Sequence, residues 1–136
     1  MYENFKHTDI TEKIIGAFFI VYNTLGYGFS EKVYENALVN ELRKMGLRVV
    51  QQAQLLVYYE GQVVGEFFAD ILVEDKVIVE LKSAKMILLE HDAQVLTYLK
   101  ATPYEVGLLL NFGPEAKHKR YAYDNHKKGS LSWTKK

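Results

Sequence analysis

The sequence predicts an α/β fold, more strictly α+β, in which a mixed β-sheet is flanked by helices in the order α-α-β-β-β-α-β-β. Two N-terminal segments have apolar residues at helical spacing. Three apolar runs separated by tight turns follow, and a strand–helix–strand pattern comes after them. The length of 136 residues fits one domain spanning 1–136.

Composition excludes several classes of protein. The formal net charge is zero, which argues against a binder that relies on bulk positive charge. The absence of cysteine excludes disulfides and thiolate zinc sites and favours the cytoplasm. The N-terminus lacks the shape of a signal peptide, and the apolar run 14–22 is shorter than the roughly 20 residues that span a bilayer. We therefore expect a cytoplasmic protein without membrane contact.

Charge is distributed unevenly along the chain. Residues 117–136 carry a net charge of +6, since seven Lys and Arg residues face Asp124 alone, so the first 116 residues carry −6. A basic C-terminal tail over 117–136 could hold a phosphate backbone while the acidic body keeps carboxylates for metal. The alternative is a solvated tail without a function.

The first helix is predicted from Thr8 to about Leu25. Thr8 and Asp9 followed by Glu12 are typical of a capping-box start. Apolar residues cover most of the helix circumference (Ile10, Ile14, Ile15, Ala17, Phe18, Phe19, Val21, Tyr22 and Leu25). Such a helix is buried on more than one side, either within the domain or in a homodimer formed through this N-terminal helix.

The second helix is predicted from Glu31 to about Met45. A Gly26-Tyr-Gly28 turn precedes it, Ser30 can cap it, and Gly46 can close it. Its inner stripe is predicted to be Tyr34, Ala37, Leu38, Leu42 and Met45.

The remaining elements are mostly strands. Apolar patterns and turn residues predict strands at about 47–58, 63–73 and 77–83, a helix at 90–100, a buried strand at 106–111 and an edge strand at 119–123. A strand followed by a helix of about ten residues and another strand is typical of a parallel, right-handed crossover.

The hairpin between the second and third strands carries the most informative charges. Glu80 and Lys82 are two residues apart, so their side chains leave the same face of a strand. A three-residue loop over 74–76 places Asp70 directly opposite Glu80, whereas a two-residue loop puts the two acids on opposite faces. Two carboxylates and an ammonium on an apolar hairpin are unfavourable unless they bind something. A hard divalent cation beside a phosphate substrate suits them.

These residues carry a family resemblance. An acid, then Glu-x-Lys on the next strand, then a helix and a strand resembles the PD-(D/E)XK nuclease superfamily. Within it, Gly28-Phe-Ser-Glu31-Lys-Val-Tyr34 resembles the signature of the small GxxExxY proteins. The resemblance extends from the first helix to Gly113 and includes Gln94-Val-Leu-Thr-Tyr98. Ala69 stands where the nominal motif has proline, its most dispensable position.

The resemblance implies a restriction-endonuclease-like core and a metal site, and it favours the three-residue loop that places Asp70 opposite Glu80. Asp70 and Glu80 would be the metal ligands, assisted by the Leu81 carbonyl, and the ion would be Mg²⁺ or Mn²⁺. Lys82 would orient or activate the attacking water, and we expect it to pair with both carboxylates in the free protein. The alternative is that the acids lie at the surface or form only a structural bridge with Lys82.

Further residues would support the site. By resemblance, Glu31 points inward and reaches the metal through water, although an acid in a first helical turn also complements the helix dipole. Gln94 would brace Lys82 or touch the phosphate, and Tyr98 would line the cleft. For Gln94, Tyr98 and Tyr34 the alternative is helix packing, and Tyr34 is expected in the core or behind the carboxylates.

Two functions from different classes follow. The first is a Mg²⁺-dependent nuclease that hydrolyses phosphodiester bonds in nucleic acid, with DNA favoured over RNA as the substrate. The second is a catalytically silent module that keeps the fold and binds nucleic acid or protein. A homodimer could place two sites on opposite strands of a duplex.

Overall fold

The computed structural model of the chain describes residues 6–129. Within them, the helices are α1 (Thr8–Leu25), α2 (Glu31–Lys44) and α3 (Leu89–Ala101), and a short 3-10 helix spans Asn125–Lys127. The strands are β1 (Val49–Tyr59), β2 (Gln62–Val73), β3 (Val77–Lys82), β4 (Val106–Phe112) and β5 (Ala116–Ala122). The predicted element order is confirmed.

The strands form one mixed sheet in the order β1-β2-β3-β4-β5. β3 and β4 are parallel, as the strand–helix–strand pattern predicts, and the other neighbours are antiparallel. Helices α1 and α2 bury an apolar core against one face, and α3 buries a second core against the other. β3 and β4 are central and almost entirely buried, which explains their continuous apolar sequence.

The bounds of α1 are as predicted, but its start is not a capping box. His7 precedes the helix in a left-handed conformation (φ 58°), and no side chain caps the helix. Thr8 is already inside the first turn, so its hydroxyl is not in the capping position. The spacing of Ile10, Ile14 and Phe18 buries one face against the sheet, while Ile20 is 47% exposed. A homodimer through α1 stays a prediction.

Helix α2 ends at Lys44, and Gly46 follows with φ 84°. Its buried face comprises Tyr34, Glu35, Leu38, Val39 and Leu42. Met45, predicted to be on this inner stripe, is exposed because it lies just beyond the last helical turn. Ser30 precedes the helix as predicted, but its side chain makes no capping hydrogen bond.

The β2–β3 hairpin has the three-residue loop. Val73 pairs with Val77, and Ile71 pairs with Val79. The same register continued by one residue places Asp70 opposite Glu80. The predicted register is therefore confirmed, and with it the condition under which the two acids can meet.

The β1–β2 ribbon changes its inner face at Asp70. Ala69 belongs to the core under α3, whereas Ile71 belongs to the core under α1 and α2. In a regular strand these two residues would face the same side. On β1, Gln52 has a left-handed backbone (φ 50°) at the position opposite Asp70. Asp70 therefore lies where the ribbon crosses from one core to the other.

The basic C-terminal segment is not a tail over its first part. Residues 117–122 belong to edge strand β5, which begins slightly earlier than predicted. Lys128 is buried, and its ammonium donates to the carbonyls of Thr102 and Tyr104, both at 2.8 Å. Lys135 and Lys136 lie outside the described residues. In the described part of the chain, no helix combines the length and hydropathy that a bilayer crossing needs.

Asn111 fixes the loop that follows β3. Its side-chain carbonyl accepts from the Ala84 N–H, and its amide donates to the Ala84 carbonyl, both at 2.9 Å. Gly113 then passes so close to Ala84 that a Cβ would overlap the Ala84 carbonyl oxygen. These contacts hold the end of β3, where Lys82 lies, against the end of β4.

Gly113→Ala is expected to lower the free energy of unfolding by about 1–3 kcal/mol, because backbone must move to admit the methyl group. Gly16→Ala is the matched control, since nothing lies within 4 Å of its added Cβ. Alanine in that exposed helical position should raise stability by up to about 1 kcal/mol. Urea unfolding measures both, and equal stability of the two variants would contradict the close approach.

Candidate active site

Two crossed hydrogen bonds tie Asp70 to Glu80 and to its neighbour Leu81. The Asp70 N–H donates to Glu80 Oε2 at 2.7 Å, and the Leu81 N–H donates to Asp70 Oδ2 at 2.8 Å. The paired residues of the β2–β3 ladder end at Ile71 and Val79, so side-chain carboxylates accept these two N–H groups just beyond it. The two carboxylates are therefore adjacent, between strands that separate at this point.

Burial makes this pair electrostatically strained. Glu80 is 2% exposed, and burial, followed by the negative charge of Asp70, raises its pKa to about 8. Asp70 is half-buried, and its pKa is also raised, mainly by burial and then by the charges of Glu35 and Glu31. The hydrogen bonds from backbone N–H groups oppose both shifts without cancelling them. Such a pair favours a bound cation.

Lys82 is near the pair but is not bonded to it. Its positive charge lowers the pKa of Glu80, which shows that the two groups are close enough to interact. Among residues 6–129, however, the Lys82 ammonium forms no side-chain hydrogen bond or ion pair. The expectation that Lys82 pairs with both carboxylates is wrong, because the backbone N–H groups of Asp70 and Leu81 donate to the carboxylates instead.

The inward-pointing acid of α2 is Glu35, one turn after Glu31. Glu31 is exposed, contrary to the expectation from sequence, although its charge raises the pKa values of Asp70 and Glu80. Glu35 is 4% exposed and accepts from the Gln51 amide at 2.8 Å and the Gln52 amide at 3.1 Å. Sequence reasoning missed Glu35 because it shares the helical stripe with Glu31, and the spacing alone does not say which of the two is covered.

Gln52 bridges the helix acid and the strand acid. Its amide donates to Glu35 Oε1 at 3.1 Å and to Asp70 Oδ1 at 3.4 Å. Its left-handed backbone, unusual for a residue other than glycine, costs roughly 1 kcal/mol or more. Nothing in the sequence signals this conformation, and Gln52 was not predicted as a site residue.

Helix α3 covers the pair with Tyr98. Burial raises the pKa of the Tyr98 hydroxyl, and the charges of Glu80 and then Asp70 raise it further, so this hydroxyl lies near the carboxylates. Gln94 donates its amide to the Tyr98 oxygen at 3.1 Å. In the described part of the chain no hydrogen bond joins Gln94 to Lys82. At the start of α3, His91 Nδ1 accepts the Leu88 N–H at 3.0 Å.

Tyr34 lies away from the carboxylates, in the core. Its fully buried ring stacks on Phe112, with centroids 4.3 Å apart. Its hydroxyl accepts the Phe29 N–H at 3.2 Å and donates to the Gly26 carbonyl. Tyr34 therefore holds the loop between α1 and α2 rather than an acid of the site.

The donor set fits Mg²⁺ or Mn²⁺ held mainly by two carboxylates. Within residues 6–129, no three His, Asp or Glu side chains are grouped to hold a metal. A third donor is available from the backbone, because the Leu81 N–H points to Asp70 and the carbonyl of a strand residue points to the same side as its N–H. Mg²⁺ commonly binds through one or two carboxylates and keeps several waters.

Comparisons with known proteins concern the family and the fold of the chain. A family model described as the PD-(D/E)XK nuclease superfamily matches residues 8–122. The solved structure of SSO0001 is similar in fold, with a TM-score of 0.56 and 18% identity over 68% of this chain. The chain spans 50% of the length of SSO0001, and at this identity the likeness concerns the fold alone. No curated protein matches the chain.

The metal-free protein should become less stable as the pH rises from about 4.5 to about 8. The folded state keeps the proton of Glu80 in this range, whereas the unfolded chain releases it near its ordinary pKa of 4.5. Glu80→Gln removes this dependence, so its stability relative to wild type should increase by roughly 4 kcal/mol between pH 4.5 and pH 9. Urea unfolding in EDTA at several pH values measures the difference.

Glu60→Gln is the matched control, since Glu60 is exposed in the turn between β1 and β2. Its stability should follow that of wild type at every pH. Parallel pH profiles for Glu80→Gln and wild type would contradict the raised pKa of Glu80.

Proposed function

This chain belongs to the PD-(D/E)XK nuclease superfamily, and on that premise we propose that it is a divalent-metal-dependent nuclease acting on DNA. The observation that carries the proposal is a pair of adjacent acids, half-buried Asp70 and buried Glu80, which accept the N–H groups of Leu81 and Asp70 and whose pKa values are both raised. Buried acids in this state suit a cation, and no cationic side chain within the described residues pairs with them.

Asp70, Glu80 and the Leu81 carbonyl would hold Mg²⁺ or Mn²⁺. When bound, the ion polarises the scissile phosphate and acidifies a coordinated water. Asp70 Oδ2 and Glu80 Oε2 are each oriented by a backbone N–H, which fixes the two carboxylates before the ion arrives. Glu80 must lose its proton to bind, so the affinity for metal rises with pH up to about 8.

Lys82 is proposed to orient the attacking water and to stabilise negative charge on the phosphate. Its ammonium is uncommitted among the described residues, and the end of its strand is fixed by Asn111 and Ala84. Glu31, exposed and within electrostatic range of both acids, is proposed to contact the metal through water. Gln94 and Tyr98 are proposed to line the covered side of the site.

A cleft of about 790 Å³ begins just beyond Lys82. It lies between the loop after β3 and strand β5, and Lys85, Lys117 and Lys119 line it. Lys117 pairs with Glu115 at 3.8 Å and Lys119 with Asp92 at 2.9 Å. The Lys117 pair is exposed on both sides and therefore weak, so phosphate oxygens could compete for this lysine. The cleft is proposed to hold the backbone of the substrate outside the reacting centre.

Metal binding is the first test of this proposal. Calorimetry with Mn²⁺ should show binding by wild type and none by Asp70→Ala or Glu80→Ala. At pH 7, titrations in buffers of different ionisation enthalpy should reveal release of about one proton per ion, because the Glu80 pKa is about 8. Equal heats for wild type and both variants would contradict the metal site.

Cleavage is the second test. Lys82→Ala should reduce metal-dependent cleavage of DNA by at least about 100-fold, since a charged group aimed at the reacting phosphate is removed. It should keep the calorimetric heat of Mn²⁺ binding. Lys100→Ala, a change to an exposed lysine of α3, is the control and should cleave like wild type.

DNA and RNA substrates are compared in the same assay. Full activity of Lys82→Ala would contradict the role of Lys82. Metal binding without cleavage of any nucleic acid would contradict the nuclease function and favour a binding module.

A further inference from the structure

Two aromatic side chains project into solvent from the connection between α1 and α2. Tyr27 is 51% exposed and Phe29 is 49% exposed, and Val33 in the first turns of α2 is 39% exposed. We call residues 26–30 the aromatic loop. Isolated exposed apolar side chains are normal, but a group beside a candidate active site is typical of a binding surface.

The aromatic loop is held in one conformation by Tyr34. The Tyr34 hydroxyl accepts the Phe29 N–H at 3.2 Å and donates to the Gly26 carbonyl, so it connects both parts of the loop. The Phe29 ring contacts the Tyr34 ring edge-on, with centroids 6.2 Å apart. Gly28 has φ 125°, a conformation that side chains rarely adopt. Tyr27 and Phe29 are thus exposed in a loop whose conformation is fixed by hydrogen bonds and ring packing.

The aromatic loop lies at the same edge of the sheet as Lys82. At the end of α1, the Tyr22 hydroxyl is 2.7 Å from the Gly113 carbonyl, and Gly113 packs against Ala84, two residues beyond Lys82. On the other side of the loop, Glu31 follows Phe29 by two residues, and its charge reaches Asp70 and Glu80. A polynucleotide bound at the candidate site would therefore pass the loop.

We propose that the aromatic loop stacks on unpaired bases and directs the enzyme to single-stranded DNA or to single-stranded ends of duplexes. This inference rests on the proposed nuclease function. Aromatic side chains stack on bases of any sequence, but only when the bases are not paired in a helix. The net charge of zero makes binding through the phosphate backbone alone weak. Stacking by Tyr27 and Phe29 supplies the missing affinity.

Binding of fluorescent oligonucleotides tests the proposal. Anisotropy is measured in EDTA, so that no metal-dependent cleavage occurs, with a single strand and with the duplex of the same sequence. Wild type should bind the single strand at least about 10-fold more tightly than the duplex. The double variant Tyr27→Ala/Phe29→Ala should lose at least about 10-fold in affinity for the single strand and little for the duplex.

Two further variants make the result specific. Tyr59→Ala/Val63→Ala removes equally exposed apolar side chains (65% and 53%) from the far end of the β1–β2 ribbon and should bind like wild type. Tyr27→Trp/Phe29→Trp keeps stacking surfaces and should retain affinity for the single strand. Urea unfolding verifies that each variant is folded.

The outcomes separate this inference from the nuclease function. Unchanged single-strand affinity in Tyr27→Ala/Phe29→Ala, or no single-strand preference in wild type, would overturn the base-stacking role and leave the aromatics as a surface for a protein partner. Binding that depends on the aromatics, in a protein that cleaves no nucleic acid with Mn²⁺, would support the stacking role and overturn the nuclease function instead.

Discussion

The reciprocal hydrogen bonds between Asp70, Glu80 and the Leu81 backbone are the interaction on which the rest of the structure depends. They allow β2 and β3 to separate without leaving the N–H groups of Asp70 and Leu81 unpaired, because carboxylate oxygens accept them. The three-residue loop sets the register that brings the acids together, and Gln52 holds Asp70 from the β1 side. Without this exchange of partners, the opening in the sheet would expose unsatisfied backbone, and there would be no place for a cation between the strands.

The adjacent acids and the Gln52 backbone beside them lower the stability of the fold and favour the binding of a cation. Burial and the charge of Asp70 raise the pKa of Glu80, burial and the charge of Glu35 raise that of Asp70, and the left-handed Gln52 adds backbone strain beside them. Neither feature helps the chain to fold, and both adjoin the position proposed for a divalent cation. The buried apolar strands β3 and β4 and the contacts of Asn111 with Ala84 hold this unfavourable cluster in place. The site thus depends on a core that is otherwise regular.

The sequence predicted features that follow from local spacing and missed those that depend on tertiary contact. The element order and the parallel pairing of β3 and β4 follow from apolar periodicity, whereas the register that places Asp70 opposite Glu80 was favoured by the family resemblance. Glu35 was missed in favour of Glu31 because both lie on one helical stripe, and only the position of β1 decides which is covered. The positive φ of Gln52 has no sequence signal. Asn111 did stand out in the sequence as a polar residue at the end of an apolar run. Its role became visible only with the tertiary contact to the loop at Ala84.

The segment from Gly28 to Tyr34 connects the candidate site with the aromatic loop. Gly28 supplies a positive φ, the charge of the exposed Glu31 at the start of α2 reaches the acids, and Tyr34 is anchored to β4 through Phe112. Because the Tyr34 hydroxyl bonds to the aromatic loop while its ring packs on the central sheet, a shift of the loop would disturb the helix that carries Glu31 and Glu35. The tyrosine hydroxyl therefore couples the position of the exposed aromatics to the position of the acids. A phenylalanine at this position would keep the packing and lose that coupling.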